Sequence, residues 1–192
     1  MPPNGECSQQ PSMQTIDTPT YLALLLLTGW LSAWMYALLP SLQIYAALPY
    51  NQLTYHLVLT VGNAAQPIGA LASMWTTAPS ATHLSVWSAL VSAACAYVTA
   101  LAAMSPEPVL RRRWIGCTFV VLANVFAMGL LSYLRTAIAS LLRRSCGHDQ
   151  KLADRRLFWC GAAAQLASGL AAFVIFPVIN VWQLFKMADV CG

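Results

Sequence analysis

Formal charge is scarce in this chain. Asp, Glu, Lys and Arg make up 8% of its 192 residues, against about 25% in an ordinary soluble domain. Hydrophobic residues reach 58%. So few charges cannot cover a water-facing surface, which excludes a soluble globular domain and a wholly disordered chain. A net charge of only +4, with most basic residues in two short clusters, excludes a free-standing nucleic-acid binder. From position 18 to position 106 there is no Asp, Glu, Lys or Arg at all. A membrane crossing takes about 20 apolar residues, so that stretch accommodates several. An integral membrane protein is the class left standing.

Other absences narrow the chemistry. Cys7, Cys95, Cys117, Cys146, Cys160 and Cys191 form no C-x-x-C pair, and their spacing supports neither a disulfide framework nor a zinc site. Cys146 and His148 are two residues apart, but two ligands do not make a four-coordinate metal site. No carboxylate falls inside an apolar run, so proton relays and paired-carboxylate catalysis have no acid to use. G-x-S-x-G, H-E-x-x-H and P-loop motifs are missing. No enzyme activity, cofactor or metal is expected. The Pro-, Ser- and Gln-rich residues 1–20 have no basic start and read as a flexible tail, not a signal peptide.

What is present is five apolar segments, at about 21–39, 53–75, 81–104, 114–134 and 157–184. The expected fold is an all-α polytopic membrane bundle over residues 21–185, with a short tail at 186–192. Pro40 is expected to end the first span, because the residue before a proline disfavours helix. Pro49 lies nine residues further on, which argues for an uncharged loop at 40–52. The second span is breakable, with Gly62, Pro67 and Gly69. The fourth is expected to run on toward Leu142 with Arg135 at the membrane interface. The fifth carries Gly161, Gln165, Ser168, Gly169 and Ala172 on one small, polar face, with Pro177 near its end.

Lys and Arg counts orient the spans. The N-terminal tail, the connection 76–80 and the connection 135–156 share one side, which carries six basic residues against four on the other. The expected topology is a cytoplasmic N-terminus and an extracellular C-terminus. Arg111–Arg113 and Arg143–Arg144 flank spans, which suits topology and anionic headgroups.

The spans lack charge but not hydrogen-bonding groups. Gln43, Tyr45, Tyr50, Asn51, Tyr55, His56, Asn63, Gln66, Asn124, Tyr133 and Gln165 supply amides, rings and hydroxyls. Each needs a partner in an apolar setting. One reading makes them interhelical bonds that hold the bundle, worth about 0.6 kcal/mol apiece. Their clustering over 43–66 favours the other, a path for a neutral solute.

The segments Leu39-Pro40-Ser41-Leu42-Gln43-Ile44-Tyr45, Leu48-Pro49-Tyr50, Tyr55-His56-Leu57 and Gly62-Asn63-Ala64-Ala65-Gln66-Pro67 resemble the eukaryotic riboflavin transporter family of solute carriers. Gln165, Ser168, Phe176-Pro177 and Phe185 add a second match, so the resemblance runs from about Leu27 to Phe185. Asn63 and Gln66 stand where the family pattern has Ser and Asn. The resemblance implies the C-terminal half of an eleven-span transporter of the plasma membrane. Its partners are the lipid bilayer and a missing N-terminal half. The implied substrate is riboflavin, moved by alternating access. That vitamin is neutral and planar, with an imide edge and a polyhydroxyl chain. Gln43, Tyr50, Tyr55, His56, Asn63, Gln66 and Gln165 are the expected substrate-binding residues. The tyrosines would stack or cap, His56 would hydrogen-bond without ionising, and the amides would address polar edges. The rival reading is a non-transporting five-span scaffold or partner subunit.

Overall fold

The computed structural model describes residues 16–76, 80–105, 114–147 and 149–182. Among the described residues the regular structure is helical. The elements are α1 (Thr18–Ala33), a π-helical turn (Trp34–Leu38), α2 (Leu39–Ala47), α3 (Gln52–Trp75), α4 (Ala81–Ala103), α5 (Trp114–Arg144) and α6 (Gln150–Asn180). The first three run on as one 30-residue rod, so five helical segments are long and apolar enough to cross a bilayer. The all-helical membrane bundle expected from composition is the architecture observed.

Helix starts follow local chemistry. The Asn51 side chain accepts the Thr54 N–H at 2.5 Å and caps α3. Ser80 caps α4 by accepting the His83 N–H at 3.3 Å, and Asp149 caps α6 by accepting the Leu152 N–H at 3.1 Å. Pro19 sits in the first turn of α1, where its missing N–H is harmless.

Pro40 does not end the first span, and the expected loop 40–52 shrinks to residues 48–51. In a regular helix Pro40 would leave the Tyr36 carbonyl without a donor and press its ring against it. The π turn just ahead removes the conflict by widening the backbone. The Leu39 N–H reaches the Trp34 carbonyl, five residues back, and the Ser41 hydroxyl donates to the Ala37 carbonyl at 2.7 Å. The fourth span is longer than expected, ending at Arg144, and α6 begins at Gln150 instead of Leu157. Of the expected tail 1–20, residues 1–15 lie outside the described residues, and helix begins at Thr18. Arg111–Arg113, residues 183 and 184 of the fifth span, Phe185, Lys186 and the tail 186–192 lie outside them too.

Helix α5 is the centre of the bundle. α3 and α4 pack along it, while α1 and α6, packed on each other, both touch it. Its buried positions include Val120, Asn124, Met128, Leu131, Ile138 and Leu142. α3 meets α5 through a stripe of small residues, Gly62, Ala65, Gly69 and Ser73, that lets the backbones approach closely. α1 and α6 are close at Gly29, where an added Cβ would lie 3.1 Å from the Ala167 methyl. Of α6 only Ala153, Cys160, Ala164 and Ser168 are buried, so most of its surface is uncovered.

Candidate functional site

Two amides far apart in sequence meet inside the bundle. Gln43 on α2 is 4% exposed and Asn124 on α5 is 1% exposed. Gln43 Nε2 donates to Asn124 Oδ1 at 3.2 Å. Gly62 on α3 makes the room, since a Cβ there would stand 2.8 Å from that same oxygen. Two dehydrated amides that bond each other avoid the cost of burying them unpaired.

The other expected residues face different surroundings. Tyr50 is half-buried in the turn between α2 and α3, and burial lifts its phenol above the ordinary range, with Tyr97 and Cys117 adding to the effect. Tyr55 is half-buried, its ring 5.8 Å from that of His56. His56 and Asn63 lie on the uncovered side of α3, and Gln165 lies on the uncovered side of α6. Asn63 and Gln165 stand near the midpoints of their helices, which span Gln52–Trp75 and Gln150–Asn180. Gln66 Nε2 is 3.4 Å from Asn63 Oδ1 and 3.8 Å from Met128 Sδ. The fold therefore joins Gln43 to Asn124, Asn63 to Gln66 and Tyr55 to His56. It keeps Gln165 apart, because α6 packs on α1, the π turn and α5 instead of on α3. Hydrocarbon offers no hydrogen-bond partner to a mid-helix amide.

An open groove lies at the surface between the π turn, α3 and α5. It has a volume of about 480 Å³ and is lined by Met35, Tyr36, Gln66, Pro67, Ser132, Arg135 and Thr136, among others. The π turn forms one wall, and the turn of α3 that holds Pro67, helical throughout, forms another. Arg135 is its charged group. Arg135 Nη1 donates to Tyr36 Oη at 2.6 Å and lies 3.4 Å from Met35 Sδ, while the guanidinium carbon sits 4.7 Å over the Tyr36 ring.

Arg135 was expected at the membrane interface, and it lies on the later part of a helix longer than one crossing needs. Helix α5 continues to Arg144, nine residues on, which places Arg135 about 13 Å along the axis from that end. The signal was the unbroken apolar periodicity from Ala137 through Leu142, beyond the charge. Asn124 is the other residue whose importance the sequence understated, because its partner is 81 positions away.

A sequence model of the solute carrier family 52 riboflavin transporters matches residues 3–187. The chain belongs to that family. Riboflavin transporter rft-2 of Caenorhabditis elegans is 37% identical over 168 residues, covering 88% of this chain and 34% of the relative. Human solute carrier family 52 riboflavin transporter member 3 is 37% identical over 175 residues, covering 91% of this chain and 36% of the relative. Member 3 of Ailuropoda melanoleuca is 35% identical over 192 residues, covering 99% and 39%. The chain thus spans between about a third and two fifths of the length of these solute carrier family 52 relatives. No solved structure matches it.

Proposed function

We propose that this chain takes part in moving riboflavin across the plasma membrane by alternating access, and that it does so together with further membrane spans. The observation that carries the proposal is the pair of outward, mid-helix amides, Asn63 and Gln165, in a chain belonging to a riboflavin transporter family. Transporter sites lie near the midplane, at the interface between two sets of spans and beside helices interrupted by Gly or Pro. α3 carries Gly62 and Pro67, within a helix that runs unbroken from Gln52 to Trp75. Alternating access needs two bodies that rock against each other, and the relatives named riboflavin transporters are more than twice as long as this chain. An N-terminal half packed on the bare faces of α3 and α6 would supply the second body.

In this reading Asn63, Gln66 and Gln165 address the polar edges of the vitamin, while Tyr50, Tyr55 and His56 cap or stack near the outer end of α3. Gln43 acts from behind, by holding Asn124 and Gly62 in register. The chain runs from a cytoplasmic N-terminus to an extracellular C-terminus and acts as a transporter, not as an enzyme. One observation favours the scaffold alternative at a single point: Gln43 and Asn124 are bonded to each other inside the bundle.

Uptake of radiolabelled riboflavin tests the proposal. Cells would express this chain alone, or with the N-terminal half of a relative supplied on a second plasmid. Uptake above the vector control, and above the half supplied alone, is expected in at least one arrangement. Background uptake in both, with the chain at the cell surface, would leave the scaffold reading in its place.

A further inference from the structure

Arg135 is a charge within the 31-residue helix α5, and it has no acid to neutralise it. Among the described residues no carboxylate lies within ion-pair reach, and its recorded contacts are Tyr36 and Met35. Its Nε is buried without a hydrogen-bond partner. A guanidinium carries five N–H donors in a rigid fork and no acceptor. The recorded bonds engage Nη1 alone. The groove that Arg135 lines, at about 480 Å³, falls in the range of small-molecule pockets. Gln66, the amide on the opposite wall, can donate and accept.

From this geometry we propose that Arg135 reads a planar heteroaromatic ligand through a paired acceptor edge, a ring carbonyl oxygen beside a ring nitrogen. This deepens the riboflavin reading and rests on it. An arginine fork meets the adjacent oxygen and nitrogen acceptors of guanine in the same two-point way. The isoalloxazine ring of riboflavin carries two such edges, the C4 carbonyl with N5 and the C2 carbonyl with N1. Its sugar-alcohol chain has no counterpart to them. Arg135 therefore selects the ring and not the chain, and the π turn serves to bring Tyr36 under the guanidinium and hold the fork in place. A lysine would keep the charge but lose the two-point match.

The test is ligand binding to the purified chain in mild detergent. Riboflavin binding is followed by the polarisation of flavin fluorescence, and 5-deazariboflavin and 1-deazariboflavin compete. Each analogue replaces one ring nitrogen with C–H and keeps its carbonyl. The expected result is that the wild type binds riboflavin about 5- to 150-fold more tightly than one of the two analogues. Arg135→Met and Arg135→Lys should both bring that ratio close to one, with helical circular dichroism retained. Equal affinities for all three flavins in the wild type overturn the proposal without any variant. A ratio that survives in Arg135→Met overturns it as well. Absence of any riboflavin binding by the wild type, both alone and co-purified with the N-terminal half of a relative, instead removes the riboflavin reading, and this proposal with it.

Discussion

Adding one methyl group at Gly69 should separate the two helices on which the site depends. Gly69 lies on the buried stripe of α3, and an added Cβ would enter the contact shell of the Gly129 carbonyl oxygen. It would also stand 2.8 Å from the Gly129 carbonyl carbon and 3.1 Å from its Cα. Non-bonded carbons prefer about 3.5–4.0 Å, so α3 and α5 must part by about 1 Å. A gap of that order forfeits about a quarter to a half of the dispersion energy of each contact along the face. Backbone cannot rotate away as a side chain can, which sets the penalty at the upper end of the usual overpacking cost of about 1–3 kcal/mol. Alanine regains up to about 1 kcal/mol of helix propensity. The expected net loss is about 1–2 kcal/mol for Gly69→Ala, measured by titrating SDS into the chain in mild detergent and following helical circular dichroism. Gly129→Ala is the internal comparison. Its Cβ would meet the Ala65 carbonyl oxygen at 3.5 Å and the Ala65 methyl at 3.7 Å, ordinary contact distances, so it should be neutral or slightly stabilising. Equal midpoints for Gly69→Ala and Gly129→Ala would refute the close α3–α5 approach described above.

Other expectations follow from the same structure. Asn124→Leu leaves the Gln43 amide buried without its partner and should cost about 1–3 kcal/mol. A double-mutant cycle with Gln43→Leu should return a coupling of about 0.6 and at most about 1.7 kcal/mol, and zero coupling would deny the bond. Asn63 and Gln165 face away from the bundle, so Asn63→Leu and Gln165→Leu should leave unfolding midpoints unchanged. In cells that take up riboflavin through this chain, each should abolish uptake while surface expression persists; normal uptake removes that residue from the site. The raised Tyr50 phenol means the folded chain holds this proton more tightly than the unfolded one. Its stabilising contribution is complete below the ordinary value of 10.0 and is lost as pH climbs through the folded value. Tyr50→Phe should flatten that alkaline decline in detergent unfolding between pH 9 and 11, and an unchanged slope would assign it to another group.

Composition and local pattern alone were enough to read the solvent and the number of crossings. An apolar run of span length reports its surroundings through composition alone, so five segments and the helical class were readable without any contact. The spaced prolines, tyrosines and glycines from Pro40 to Pro67 carried the family resemblance for the same reason, since each is a local signature. Tertiary structure decided what became of those signatures. Pro40 reads as a helix end until the π turn at Trp34–Leu38 widens the backbone ahead of it. Gln43, Asn63 and Gln165 read alike as amides in apolar spans. Only packing makes the first an internal bond to Asn124 and leaves the other two facing outward. Arg135 reads as a lone basic residue until Tyr36 arrives from a π turn 99 positions away. Which groups meet across the bundle depends on the approach distance set by small residues such as Gly62 and Gly69. That distance belongs to pairs of helices, and no single stretch of sequence contains it.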